Sequence, residues 1–317
     1  MRLLVIRPGG LGDLLVSLPA LAHLAERLRA EVEIAGDPER LALLEGSPYA
    51  TRCLSLEALG LHALFTPDPT PEVLSRLRLY GAIVSWFGAG DPVYRAHLEA
   101  LGRPVVIACG TPAPEARVHV SRHLLLTLSP LVPPPPEIPP VRLAPTARER
   151  QETEAWCRAR GVDPERLVLL HPGAGGASKR WPAERFAALV RPLQVAEFVP
   201  AVLGGPADRE AVGALRAAGA PGLPLALDLG LRRLLALSAL ARGFVGNDSG
   251  LTHLAAVAGT PTLALFGPTD PVIWSPLGPA SRVLVARPLG GDPWGDLPPE
   301  RVLAACLEIA GATGRAA

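Results

Sequence analysis

Leu3-Leu4-Val5-Ile6-Arg7-Pro8-Gly9-Gly10-Leu11-Gly12-Asp13 opens the chain. An apolar run, a glycine-rich turn and a helical pattern over 13–28 together spell one βα unit. The same alternation continues, with strands expected at 32–35, 82–86 and 105–108 and helices at 71–79 and 92–101. The first half therefore reads as a doubly wound parallel sheet. Pro133-Pro134-Pro135-Pro136 with Pro139 and Pro140 then marks an extended segment that is neither helix nor central strand. Beyond it the alternation restarts, with a helix at 146–160, strands at 167–171, 198–203, 244–246 and 262–266, and helices at 183–193, 207–217, 231–241 and 251–258.

The expected fold class is α/β, with two Rossmann-like doubly wound domains facing across a cleft. Residues 1–132 form the first domain, 133–145 the proline-rich linker and 146–317 the second, with a last helix at 299–309 free to pack back across the junction. A length of 317 residues fits two such domains. Ligands of open α/β sheets bind beyond the carboxyl ends of the strands, so the loops that follow strands are where chemistry is to be sought.

Composition narrows the function. A net charge of +1 supplies no field to recruit nucleic acid. Cys53, Cys109, Cys157 and Cys306 are far apart and form no C-x-x-C pair, which points away from zinc and disulfides and toward a reducing cytoplasm. The apolar run 3–6 is too short for a signal peptide, and no segment reads as a membrane span, so membrane contact is expected to be peripheral at most. The chain holds a single lysine, Lys179, and a single asparagine, Asn247, beside 36 prolines. Residues that survive such a bias draw attention.

Three strand-to-helix loops carry polar residues. In the first, the dinucleotide fingerprint fails because Leu15 stands where its third glycine belongs, and Asp13 puts a carboxylate where a pyrophosphate needs positive potential. Asp37 beyond the second strand keeps a dinucleotide open, and helix capping is an equal reading of Asp13. The second loop, His171-Pro172-Gly173-Ala174-Gly175-Gly176-Ala177-Ser178-Lys179-Arg180-Trp181-Pro182, lacks the Walker ending but offers flexible backbone and adjacent cations suited to a diphosphate. The third, Gly246-Asn247-Asp248-Ser249-Gly250-Leu251-Thr252-His253, stacks capping residues at a helix start, directing amides and the Ser249 and Thr252 hydroxyls toward one phosphate-sized spot. The competing reading is a well-capped core helix with a buried histidine. Asp208 and Glu210 follow another strand and serve either ribose hydroxyls or the start of a helix. Trp86 and Phe87 are more simply core.

These stretches resemble the ADP-heptose lipopolysaccharide heptosyltransferase family. The likeness lies in 7–21 with Gly12-Asp13 and Leu18-Pro19-Ala20-Leu21, in Lys179-Arg180-Trp181-Pro182 with Arg185-Phe186, and in 246–271 with Phe266-Gly267-Pro268-Thr269-Asp270-Pro271. Arg117-Val118-His119 with Arg122-His123-Leu124 is a weaker match. The resemblance implies a GT-B fold, an acceptor on the first domain, a sugar nucleotide on the second and inversion at the anomeric carbon. It implies Asp13 as catalytic base, with Gly12, Lys179, Ser249, Gly250, Thr252 and His253 at the donor phosphates. Asn247 and Asp248 would support them, and Glu210 or Asp208 would hold the ribose. It implies no cofactor; the absence of any Asp-x-Asp pair fits transfer without a metal. The expected partners are a nucleotide-sugar donor and a glycan or glycolipid acceptor, in the cytoplasm, with room for peripheral contact at the inner face of the membrane. A sugar-nucleotide epimerase of the same architecture, a non-catalytic nucleotide-sugar binder and an NAD-dependent oxidoreductase are the alternatives.

Overall fold

A computed structural model of the chain describes residues 1–220 and 222–312; positions 221 and 313–317 of the expected second domain lie outside the described residues. The chain divides into two compact units, Met1–Val141 and Arg142 onward. The division falls at the end of the proline-rich stretch. There the Pro133 carbonyl sits 2.8 Å from His23 Nε2 and the Pro135 carbonyl accepts from Arg122, both inside the first unit. On the other side, Leu143 N donates to Val257 O of the second unit at 2.8 Å.

The first unit holds a five-stranded sheet of β1 (Arg2–Ile6), β2 (Glu31–Gly36), β3 (Arg52–Ser55), β4 (Ala82–Ser85) and β5 (Val105–Ile107), in the order β3-β2-β1-β4-β5. All its pairs are parallel, with Leu4 opposite Glu33 on one side and Ile83 on the other. The second unit holds six strands: β6 (Leu167–His171), β7 (Val199–Gly204), β8 (Leu225–Leu227), β9 (Gly243–Asn247), β10 (Thr262–Phe266) and β11 (Ser281–Val285). They lie in the order β11-β10-β9-β6-β7-β8, again parallel throughout. Each sheet thus begins at its centre, winds outward one way and then the other. The crevices open where the winding reverses, between β1 and β4 and between β6 and β9.

The central strands β1, β6 and β10 carry unbroken apolar runs, because a parallel strand covered by helices on both faces is buried throughout. Leu3 to Ile6 and Val168 to Leu170 are fully buried. Each unit has its own core, one around Leu4, Ile6, Ile83 and Tyr94, the other around Leu170, Trp181, Phe186 and Val245. The expected helix 13–28 is two helices, Leu11–Leu15 and Leu18–Leu28. Ser17 Oγ donates to Leu14 O at 2.6 Å between them, and Pro19, which has no N–H, sits where the second helix needs no donor. The last described helix, Pro299–Ala312, packs against the helix Ala183–Val195 and strands β9 and β10 of its own unit.

Candidate functional site

In the first unit the loop after β1 leads into Leu11–Leu15, and Asp13 occupies the third position of that helix. From there its Oδ2 reaches back to accept the Gly10 N–H at 2.8 Å, as an acidic side chain does in a capping box. Gly9 must stay bare for this: at φ 134° it takes a backbone that L side chains avoid, and a Cβ there would lie 2.8 Å from Asp13 Oδ2. The other oxygen, Oδ1, faces Arg7 Nη2 at 3.3 Å. Arg7 is buried beneath it, its guanidinium 6.0 Å from the Trp86 ring centre and against the bare Gly110 backbone. Burial lowers the Arg7 pKa from its ordinary value and Asp13 offsets only part of that, yet a guanidinium remains charged. The Asp13 side chain itself is 31% exposed, so one carboxylate is both held and open to solvent. Gly12 lies inside the same short helix, its carbonyl taken by Val16 N. Trp86 donates Nε1–H to Thr127 Oγ1 at 2.9 Å and is buried, and Phe87 packs edge-on to Tyr94; both are core residues.

In the second unit the loops after β6, β7, β9 and β10 converge at the β6/β9 crevice. Asn247, at the end of β9, is fully buried and works as a clamp on the loop 172–181. Its Nδ2 donates to Pro172 O at 2.9 Å and Gly173 O at 3.2 Å, while its Oδ1 accepts from Trp181 N at 2.9 Å. The amide thereby ties both ends of that loop, with both of its donors used and its side chain wholly buried. Between those ends sits Lys179, whose Nζ donates to Asp248 Oδ2 at 2.8 Å. The same oxygen accepts from Thr269 Oγ1 at 2.8 Å, which brings in the loop after β10. Lys179 keeps about a third of its side chain exposed (34%), so the cation is aimed and accessible together.

Ser249 caps the helix Gly250–Ala258, accepting from Thr252 N at 3.4 Å. Its Oγ also lies 3.1 Å from Thr252 Oγ1 and 3.1 Å from His171 Nδ1, while the Thr252 hydroxyl donates to Asn247 O. Both hydroxyls expected at a phosphate are thus committed to neighbours. What the helix presents outward is its first turn of amides at Gly250 and Leu251, which have no partner within the helix. His253 is buried in the same first turn.

Asp208 and Glu210 stand in unlike places. Asp208 is 9% exposed; Oδ2 accepts from Gly205 N at 2.8 Å and lies 3.3 Å from His171 Nε2. Burial pushes its carboxyl upward, but His171, the Gly205 amide and Arg180 together outweigh burial and hold it below the ordinary value. The Glu210 side chain is 82% exposed and pairs with Arg180 at 2.7 Å. A cavity of about 140 Å³ opens beside that pair, lined by Pro172, Arg180, Trp181, Pro182, Glu210 and Ala211. His171 and Thr269 are the site residues the sequence reading left without a role. Both end or follow strands of the crevice, which is the signal that marks them. Among the described residues, no cluster of three or more His, Cys, Asp or Glu is placed to hold a metal.

A cation, a helix N-terminus and glycine-rich backbone at the switch point of a Rossmann-like sheet form an arrangement whose chemistry suits a phosphorylated ligand, borne by the second of two such units. Comparison with known proteins specifies the class further. A profile of glycosyltransferase family 9 (heptosyltransferase) matches residues 111–291, more than half of the chain, and the chain belongs to that family. Lipopolysaccharide heptosyltransferase 2 of Salmonella typhimurium strain LT2 is 34% identical over 140 residues, 42% of this chain and 40% of that relative's length. The chain therefore spans well under two thirds of the curated relative it matches. Two solved structures share the fold over nearly the whole chain. E. coli ADP-heptose lps heptosyltransferase II is 22% identical with a TM-score of 0.74, covering 99% of this chain and 100% of that one. E. coli heptosyltransferase WaaC with ADP is 17% identical with a TM-score of 0.69, covering 98% and 100%. The two parallel-sheet units are thus the GT-B pattern.

Proposed function

We propose that this chain is an inverting, metal-independent glycosyltransferase that moves a heptose from ADP-heptose to a hydroxyl of a lipopolysaccharide core or other surface glycan. The observation that carries this reading is the meeting of Lys179, the Asp248 carboxylate that aims it and the first turn of Gly250–Ala258 at one switch point. A sugar nucleotide leaves as a nucleoside diphosphate, and charge developing on that group is what a fixed ammonium and a row of helix amides stabilise. Family membership supports sugar transfer, and the ADP in the WaaC structure supports an adenine nucleoside diphosphate. Asp208 and Glu210, on the loop and helix after β7, are assigned to the nucleoside end.

Asp13 is assigned to the acceptor. As the acceptor oxygen bonds to the anomeric carbon and the bond to the diphosphate breaks, the hydroxyl proton passes to the carboxylate and the electron pair leaves with ADP. A single displacement inverts the centre. A carboxylate with an ordinary pKa of about 4 is a weak base, so the proton moves late, after the hydroxyl has been acidified by bond formation. Gly10 N–H and Arg7 orient the acid while its exposed edge receives the proton. The lipid-linked acceptor places the enzyme at the cytoplasmic face of the membrane as a peripheral visitor. Among the described residues no helix is long and apolar enough to cross a bilayer.

Replacing Asp13 tests the assignment. Asp13→Asn and Asp13→Ala are expected to lower turnover of ADP-heptose by at least about 100-fold, the usual contribution of a positioned base, with ADP affinity unchanged. Full turnover in either variant removes Asp13 from the chemistry.

A further inference from the structure

His171 is 2% exposed at the end of β6 and touches a different loop with each ring nitrogen. Nδ1 lies 3.1 Å from Ser249 Oγ, the cap of the helix after β9. Nε2 lies 3.3 Å from Asp208 Oδ2, on the loop after β7. The carboxylate selects the tautomer with the proton on Nε2, which leaves Nδ1 to accept from the Ser249 hydroxyl. Two neighbouring glycines show how closely the three loops are fitted. A Cβ on Gly173 would fall 1.8 Å from Asp208 Oδ1 and 2.9 Å from His171 Nε2. A Cβ on Gly246 would fall 2.9 Å from Thr252 Oγ1 and 3.2 Å from His171 Cβ. A buried carboxylate and imidazole contribute little that apolar residues of the same volume would not, so stability alone does not account for them.

We propose that His171 is a positioning residue that sets the Asp208 loop and the Ser249 helix cap as one body, so that the nucleoside and diphosphate ends of the donor are recognised together. The second half of this statement rests on the donor assignment above; the first half does not. A nucleotide bridges the two loops from outside, and His171 bridges them from inside. Its loss is therefore felt more by a ligand that spans both than by one that meets the helix alone.

The test uses the full chain with His171→Phe, His171→Asn and His171→Gln, and two probes, ADP and inorganic pyrophosphate, titrated calorimetrically. Asparagine keeps a polar atom at the Nδ1 position and glutamine one at the Nε2 position. His171→Phe is expected to weaken ADP by about tenfold, the scale of a lost charge-assisted contact, raising KM for the sugar nucleotide while kcat stays within about twofold. His171→Asn is expected to bind pyrophosphate within about twofold of the parent yet keep its ADP defect. Melting curves establish which variants fold, and the two conservative replacements serve if phenylalanine does not. ADP binding by His171→Phe within about twofold of the parent overturns the proposal, as does an equal loss on both probes in His171→Asn. A parent chain that binds no ADP overturns the donor assignment instead. Amide exchange in the ligand-free proteins then decides on His171: faster exchange in both 204–209 and 249–252 in His171→Phe supports the tie, and protection kept in either segment of that variant refutes it.

Discussion

Asn247 offers the sharpest perturbation in the second unit, because one side chain closes three hydrogen bonds in a fully dry place. Truncation in Asn247→Ala removes all three and leaves the Trp181 amide and the Pro172 and Gly173 carbonyls unpaired, at a net cost of roughly 1 kcal/mol each, or about 3 kcal/mol together. Asn247→Asp is nearly isosteric and keeps the bond from Trp181. It also turns a carboxylate oxygen on two carbonyls at 2.9 and 3.2 Å where the amide donated. It is therefore expected to cost at least as much as alanine despite its smaller change of shape. Urea unfolding followed by tryptophan fluorescence suits the measurement, since Trp156, Trp181, Trp274 and Trp294 all lie in the second unit. With a slope of about 2 kcal/mol/M, the midpoint of that transition falls by roughly 1.5 M. The order of the two variants separates the clamp from simple packing. If Asn247→Asp costs under about 1 kcal/mol while alanine costs more, volume governs the site and the clamp argument fails.

Three further outcomes are expected. Lys179→Met weakens ADP by about tenfold to a hundredfold in a calorimetric titration, and unchanged affinity removes the ammonium from the diphosphate site. Gly173→Ala costs roughly 1 to 3 kcal/mol in urea unfolding because its methyl meets Asp208, and the cost shrinks when Asp208→Ala is made in the same chain; an undiminished cost places the clash elsewhere. The depressed Asp208 carboxyl contributes stability that is fully present above its unfolded value of about 4 and is lost as pH falls through its lower folded value. Urea midpoints below about pH 4 should therefore drop less steeply in Asp208→Asn than in the parent, and parallel curves contradict the pairing.

How legible each element was follows from where it sits. Central strands β6 and β10 have the bounds expected for them, 167–171 and 262–266, since continuous burial leaves an unbroken apolar run. Strands β3, β8 and β11 had no such signal. They are the outer strands of their sheets, and Arg52–Ser55 and Ser281–Val285 each begin with or end on polar residues that shorten the apolar run, while Leu225–Leu227 is only three residues long. Lys179 and Asn247 stood out as the only residues of their kinds, but what each touches did not. Lys179 meets Asp248 across 69 positions, and His171 meets Ser249 across 78, separations that no local pattern encodes. The hydroxyls of Ser249 and Thr252 were read as facing a ligand because capping residues and phosphate ligands are the same residue types. The structure shows that each also bonds within the protein, Ser249 beside His171 and Thr252 to the Asn247 carbonyl.

The two sheets wind alike, and each sets a glycine-rich loop and a helix start at its switch point, yet the more exposed member of the ion pair there is the acid in the first unit and the cation in the second. In the second unit the first turn of Gly250–Ala258 is left open and a lysine stands beside it. In the first unit the corresponding amide, Gly10 N–H, is already filled by the carboxylate of Asp13 from the same helix. A phosphate arriving there would have to displace an acid that the backbone holds and would be repelled by it. The fold would allow a nucleotide at either address, and one side chain removes the first from contention. That same substitution of acid for anion site leaves a fixed carboxylate on the unit assigned to the acceptor, which is the group a hydroxyl nucleophile requires.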